Sequence, residues 1–119
     1  MPAKPSKDDR AYVHDMLESA RLADTHVHGL TLAQFLDDPK TQDAVVLRLT
    51  MIDDFAHQLA PATVASMPTG SMQQARSLRG RMAHPDGRVD FPMVWKITQQ
   101  ELKSLAATLE KHLLAQGRP

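Results

Sequence analysis

Polar and apolar positions alternate at helical intervals along almost the whole chain. Tyr12, Val13, Met16, Leu17, Ala20 and Ala23 recur at three- and four-residue spacings, which lines one face of a helix of about four turns. Ser6 and Asp9 have the spacing of a capping box, with Asp in place of Glu, and place the start of that helix. His26-Val27-His28-Gly29 should end it, the glycine acting as the C-terminal stop. Thr31–Leu36 then predicts a short helical turn whose Leu32, Phe35 and Leu36 cover the edge of the core. Asp38 before Pro39 reads as an N-cap followed by proline at the first helical position. The helix it opens should run to about Ala60, burying Val45, Leu49, Ile52, Ala56 and Leu59.

The second half is punctuated more heavily. Pro61 to Gly70 holds two prolines and a glycine, which predicts a loop with room for one helical turn. Ser71 and Gln74 again have capping-box spacing, so a helix is expected over 71–83. Pro85 disfavours the α conformation at His84 and closes that helix. Asp90 reads as the N-cap of the last helix, with Pro92 in its first turn. Phe91, Val94, Trp95, Thr98, Leu102, Leu105, Leu109 and Leu113 continue at helical spacing to an end near Gly117. No strand pattern, glycine-rich phosphate loop or internal repeat intervenes. Four long amphipathic helices with mostly short connections predict an all-α fold, an antiparallel up-down bundle of four main helices. At 119 residues, the chain is expected to be a single domain over 1–119.

Composition narrows the setting. Without cysteine there are no disulfides or thiolate metal sites. The first ten residues lack the apolar stretch of a signal peptide, and no apolar run approaches the roughly 20 residues of a membrane span. A soluble, cytoplasmic protein is expected. The seven methionines suit an adaptable core or a helix-packing interface. The formal net charge of zero argues against a generic nucleic-acid binder. The distribution is uneven: residues 1–54 carry ten acidic and six basic side chains, residues 55–119 four and eight. That asymmetry signals a local anion site around Arg76 to Arg88 unless packing interleaves the two halves.

Chemistry-bearing residues concentrate in the same stretch. Arg76, Arg79 and Arg81 load one helix with positive charge, and Arg88 follows the break. Arg79 and His84 are five apart, about 140° around an ideal helix. A histidine on the unwinding end can swing back toward the arginine, and the two together can handle a phosphate and its protons. On the preceding helix, Asp53 and His57 are i,i+4 neighbours close enough to pair, with Asp54 beside them. These three are placed on the faces away from the buried stripe, either as a solvated surface or as part of a site. His26 and His28 are two apart, and such positions do not face each other on a helix. No metal ligand set and no cofactor is expected.

The Arg79-x4-His84 spacing matches the Arg-x4-His motif of the HEPN superfamily, in particular its HepT-like branch of bacterial toxins. Val89-Asp90 followed by Val94-Trp95 sits where that branch has a Val-Asp and a Val-Trp, and 38–59 looks like its second long helix. The resemblance spans roughly residues 8–115. It implies a helical bundle and metal-independent RNA cleavage in a composite cleft of a homodimer, with Arg79 and His84 catalytic. Arg76, Arg81 and Arg88 would then bind RNA or phosphate, supported by Asp54 and Asp86. It also implies a partner, a minimal nucleotidyltransferase antitoxin that attaches AMP to a tyrosine of the toxin. The chain departs from the family pattern at four places. Gly80 stands for the Asn after the arginine, and Asp86 for the Tyr two residues after the histidine. Asp53-Asp54 stands for Gly-Glu after Ile52, so the helix contact at Asp53 must differ. These departures leave a second reading open, a non-catalytic HEPN subunit that binds a nucleotidyltransferase.

Overall fold

Residues 7–116 are described by a computed structural model, and among them the apolar stripes form eight helices and no strand. They are α1 (Lys7–Val27), α2 (Leu32–Leu36), α3 (Pro39–Gln58), α4 (Pro61–Ala65), α5 (Thr69–Ala75), α6 (Leu78–Arg81), α7 (Phe91–Gln100) and α8 (Leu102–Gln116). The fold is all-α. The expected cap at Ser6 and the stop at Gly117 lie outside the described residues. None of the described helices is long and apolar enough to cross a membrane.

The core follows the predicted periodicity. Val13, Met16, Leu17, Ala20 and Ala23 of α1 are buried, as are Val45, Leu49, Ile52 and Ala56 of α3 and Leu59 just after it. Val94, Thr98, Leu102, Leu105 and Leu109 continue the core through α7 and α8, with Ile97 fully buried among them. Tyr12 stacks on Phe55 at 5.7 Å between centroids, and Phe35 meets Trp95 at 5.4 Å. Helix α1 packs against α3 on one side and α8 on the other. Contacts of α3 with α5 and α6, and of α5 with α8, close a four-sided arrangement.

Two of the four sides are not single helices. The helix expected over 71–83 is α5, an unwound pair at Arg76 and Ser77, and α6. Ser71 is not its cap but lies inside α5, facing Thr108 of α8 at 3.3 Å. At the break the Ser77 hydroxyl donates to the Gln74 carbonyl. The apolar stripe survives the break, since Met72, Ala75, Leu78 and Met82 are all buried. The last helix divides likewise at Glu101 into α7 and α8. Most of the expected loop between 61 and 70 is helical. Asp9 of α1, itself buried, accepts from the Ala60 backbone N–H and the Thr63 hydroxyl and so fixes α4 in place. One further expectation fails in α2: Phe35 is fully buried, but Leu32 and Leu36 stay exposed. Its C-terminal carbonyls at Phe35 and Leu36 are covered by the Gln42 amide.

Candidate functional site

Arg79 is held from α3 by two consecutive carboxylates. Asp53, 5% exposed, accepts the backbone N–H of Arg79 at 2.9 Å. That N–H is an orphan donor in the first turn of α6, and no side chain of α6's own N-cap satisfies it. Asp53 therefore caps α6 from another helix. Asp54 takes the guanidinium at 2.7 Å, and this hydrogen bond raises the arginine's pKa above its ordinary value. Asp53 thus lies against α6 rather than on a solvated face. Its carboxylate grips the neighbouring backbone.

The other Asp53 oxygen lies 2.9 Å from His57 Nδ1, the expected i,i+4 pair. The same nitrogen is 2.9 Å from the Asp53 carbonyl. Both neighbours only accept, so Nδ1 carries the proton and donates, leaving Nε2 as the free nitrogen.

His84 is presented by a tight turn. The Gly87 N–H donates to the His84 carbonyl at 2.8 Å, and the His84 N–H to the Arg88 carbonyl at 2.7 Å. Proline at the second turn position and Gly87 at φ +87° suit the three-residue hairpin loop with a glycine bulge. Ala83 and Val89 pair as an isolated antiparallel bridge, and the Asp90 N–H donates to the Met82 carbonyl, extending the miniature hairpin into α7. Asp90 caps α7 through the Met93 N–H and places its second oxygen 4.0 Å from His84 Nδ1. That distance allows an electrostatic pairing but is too long for a hydrogen bond. Among the described residues no hydrogen bond joins His84 to Arg79; the histidine is directed to Asp90 and the arginine to Asp54.

The remaining arginines divide sharply. Arg81 makes a bidentate, part-buried ion pair with Glu101, at 2.6 and 2.8 Å, which braces α6 against the bend between α7 and α8. Arg88 donates both its backbone N–H and its guanidinium to Asp86. These bonds, the backbone one foremost, hold the Asp86 carboxyl below the usual range. Arg76 is exposed and, among the described residues, has no carboxylate partner. The charge asymmetry of the halves is partly cancelled by packing, through Asp54–Arg79.

Sequence reasoning did not assign roles to Asp90 beside His84 or Glu101 against Arg81, nor the capping role to Asp53. The turn was signalled by His84-Pro85-Asp86-Gly87, a composition typical of turns. The other two arise from long-range packing and left no local signal.

The family model described as "Ribonuclease HepT-like" matches residues 16–112. A Methanocaldococcus jannaschii protein named "Putative RNase MJ0127" is 28% identical over 93 residues, covering 78% of this chain and 77% of that protein. A Thermococcus cleftensis protein named "Probable ribonuclease HepT" is 24% identical over 105 residues, covering 88% and 96%. No solved structure matches the chain.

Proposed function

The chain belongs to the HepT-like ribonuclease family, and from that membership we propose that it is a metal-independent endoribonuclease, the toxin of a toxin–antitoxin pair. Two copies related by a two-fold axis complete its cleft, and Arg79 and His84 carry the reaction. The observation behind this reading is the separate support given to the two motif residues. Arg79 has its backbone pinned by Asp53, while His84 stands exposed at the head of a tight turn.

RNA brings its own nucleophile. The 2′-hydroxyl attacks the adjacent phosphorus, a histidine removes its proton, a second histidine protonates the leaving oxygen, and arginine offsets the charge on phosphorus. A dimer supplies two His84 and two Arg79 side chains. Arg76 and Arg88 then contribute phosphate contacts, whereas Arg81 is committed to Glu101. The partner is a minimal nucleotidyltransferase antitoxin in the cytoplasm. Asp86 offers no phenolic hydroxyl for AMP, so control at this position works through binding rather than modification. Gly80 is not demanded by the backbone: a Cβ there meets nothing within 4 Å. Gly80→Asn and Asp86→Tyr therefore rebuild the family motif without a clash at Gly80, and Asp86→Tyr should create a target for AMP transfer.

One feature favours the second reading, a non-catalytic subunit that binds the nucleotidyltransferase: Asp54 already occupies the Arg79 guanidinium. The two are separated by degradation of a structured RNA in the presence of a chelator. Wild type should cleave, and Arg79→Ala and His84→Ala should each lose about 10²–10⁴-fold in rate. Cleavage equal in all three would place the activity elsewhere, and a folded wild-type dimer without activity would establish the binding subunit.

A further inference from the structure

Where the C-terminal end of α3 meets α4 and α5 lies an open cavity of about 440 Å³. His57 comes from α3, Val64 from α4, and Thr69, Met72, Gln73 and Arg76 from α5 and its C-terminal end. Its volume falls in the range of roughly 300–1,000 Å³ typical of small-molecule sites. None of Arg79, His84 or Arg88 lines it, so it is distinct from the motif.

Its cationic or titratable groups are Arg76 and His57. Arg21, Arg79, Arg81 and Arg88 each hold a carboxylate. Arg76 has none among the described residues and keeps its planar donor fork available. The His57 side chain is half-exposed, but that of its carboxylate partner Asp53 is buried. The ring is thereby fixed through Nδ1, with Nε2 left open. A guanidinium without a counter-ion and an oriented imidazole in one cavity are suited to a phosphate. Thr69 and Gln73 add hydroxyl and amide groups at the rim. The floor is apolar, built on Val64 and the almost fully buried Met72, and is suited to the face of a base or ribose rather than to a bare anion.

We propose that this cavity is a subsite for one nucleotide of a single-stranded RNA, with the phosphate between Arg76 and His57 and the base against Met72 and Val64. The inference rests on the ribonuclease reading for its ligand class and adds to it a place where the strand is gripped away from the reacting bond. Asp53 links the two, since one of its oxygens orients His57 while the other holds the Arg79 backbone. A strand in the subsite is therefore positioned relative to the helix that carries the motif arginine.

The test is binding rather than turnover. A short single-stranded RNA with methylated 2′-hydroxyls, which cannot be cleaved, is titrated by fluorescence anisotropy across salt concentrations. Arg76→Ala should lower affinity roughly tenfold and reduce the salt-dependence slope by about one. Arg76 has no carboxylate partner to lose, so that variant should fold as wild type, which circular dichroism checks. His57→Gln should weaken binding, and the His57 ring resonances should shift when the RNA is added. Adenosine monophosphate and inorganic phosphate serve as separate probes. Weak binding of the mononucleotide at the same resonances supports the subsite. Mononucleotide binding with no effect of either variant on RNA would overturn the RNA assignment in favour of a free nucleotide. Unchanged RNA affinity in Arg76→Ala together with unmoved His57 resonances would overturn the site altogether. If the RNA binds through Arg76 and His57 but the unmethylated form is never cleaved, the ribonuclease reading fails and the subsite stands.

Discussion

The two halves of the Arg-x4-His motif are built by opposite means. Arg79 sits on a four-residue helix too short to stand alone, and its geometry comes from Asp53 and Asp54, 26 and 25 residues away in sequence. His84 belongs to a turn closed almost entirely by its immediate neighbours, from Met82 to Asp90. The first is a tertiary construction anchored on the core helix α3; the second is a local one on the surface. A motif that looks continuous in sequence is thus two devices with separate vulnerabilities. Substitutions should reach stability through one side and chemistry through the other.

The sharpest separation is expected at the histidine. His84→Ala should cost the cleavage reaction about 10²–10⁴-fold while denaturant unfolding shifts by no more than about 0.5 kcal/mol, as for an ordinary surface change. A large loss of stability would show that the turn is not self-contained. Asp53→Ala should do the reverse first. It leaves the Arg79 N–H without its cap and His57 without its carboxylate, a loss of about 1–3 kcal/mol by urea denaturation, and activity should fall with it. Stability unchanged in that variant would refute the capping role.

The turn has its own weak point in Gly87, whose φ of +87° is costly for any side chain. Gly87→Ala should destabilise by about 1–2 kcal/mol, measured by thermal unfolding, even though a Cβ there meets no neighbour. Asp54→Asn should leave stability close to wild type, because both partners of its ion pair are more than half exposed. It should raise RNA affinity by releasing the guanidinium, and lower affinity in an anisotropy titration would mean that Asp54 positions Arg79 instead of competing for it.

The smallest effect belongs to a site remote from both. His112 of α8 is buried, and burial, with Arg10 nearby, lowers its pKa below the ordinary 6.5. The unfolded chain therefore binds the proton more readily than the native one just below that pH. Stability is fully present above about pH 6.5 and declines as the solution is acidified through the lowered folded pKa. His112→Leu should flatten that decline in urea midpoints measured between neutral and mildly acidic pH, whereas an unchanged slope would assign the acid sensitivity to other groups.

The sequence by itself determined the helical class, nearly all of the buried stripes and the caps at Asp38 and Asp90, because periodicity, proline and a short carboxylate act within a turn or two. It also marked a break at His84-Pro85 and put Arg79 and His84 forward as a pair. It did not show where helices 71–83 and 91–117 divide, since Ser77 and Glu101 are ordinary helix-compatible residues until Gln74, Arg81 and the core give them other bonds. Nor could it tell which arginines are free. Arg76, Arg79 and Arg81 are alike in spacing and charge, and only the packing of α3 and the α7–α8 bend against α6 gave Asp54 and Glu101 to two of them and left the third facing a cavity. Local signals fix conformation over a few residues; the partner of a long, flexible side chain is chosen by whatever the fold brings within reach.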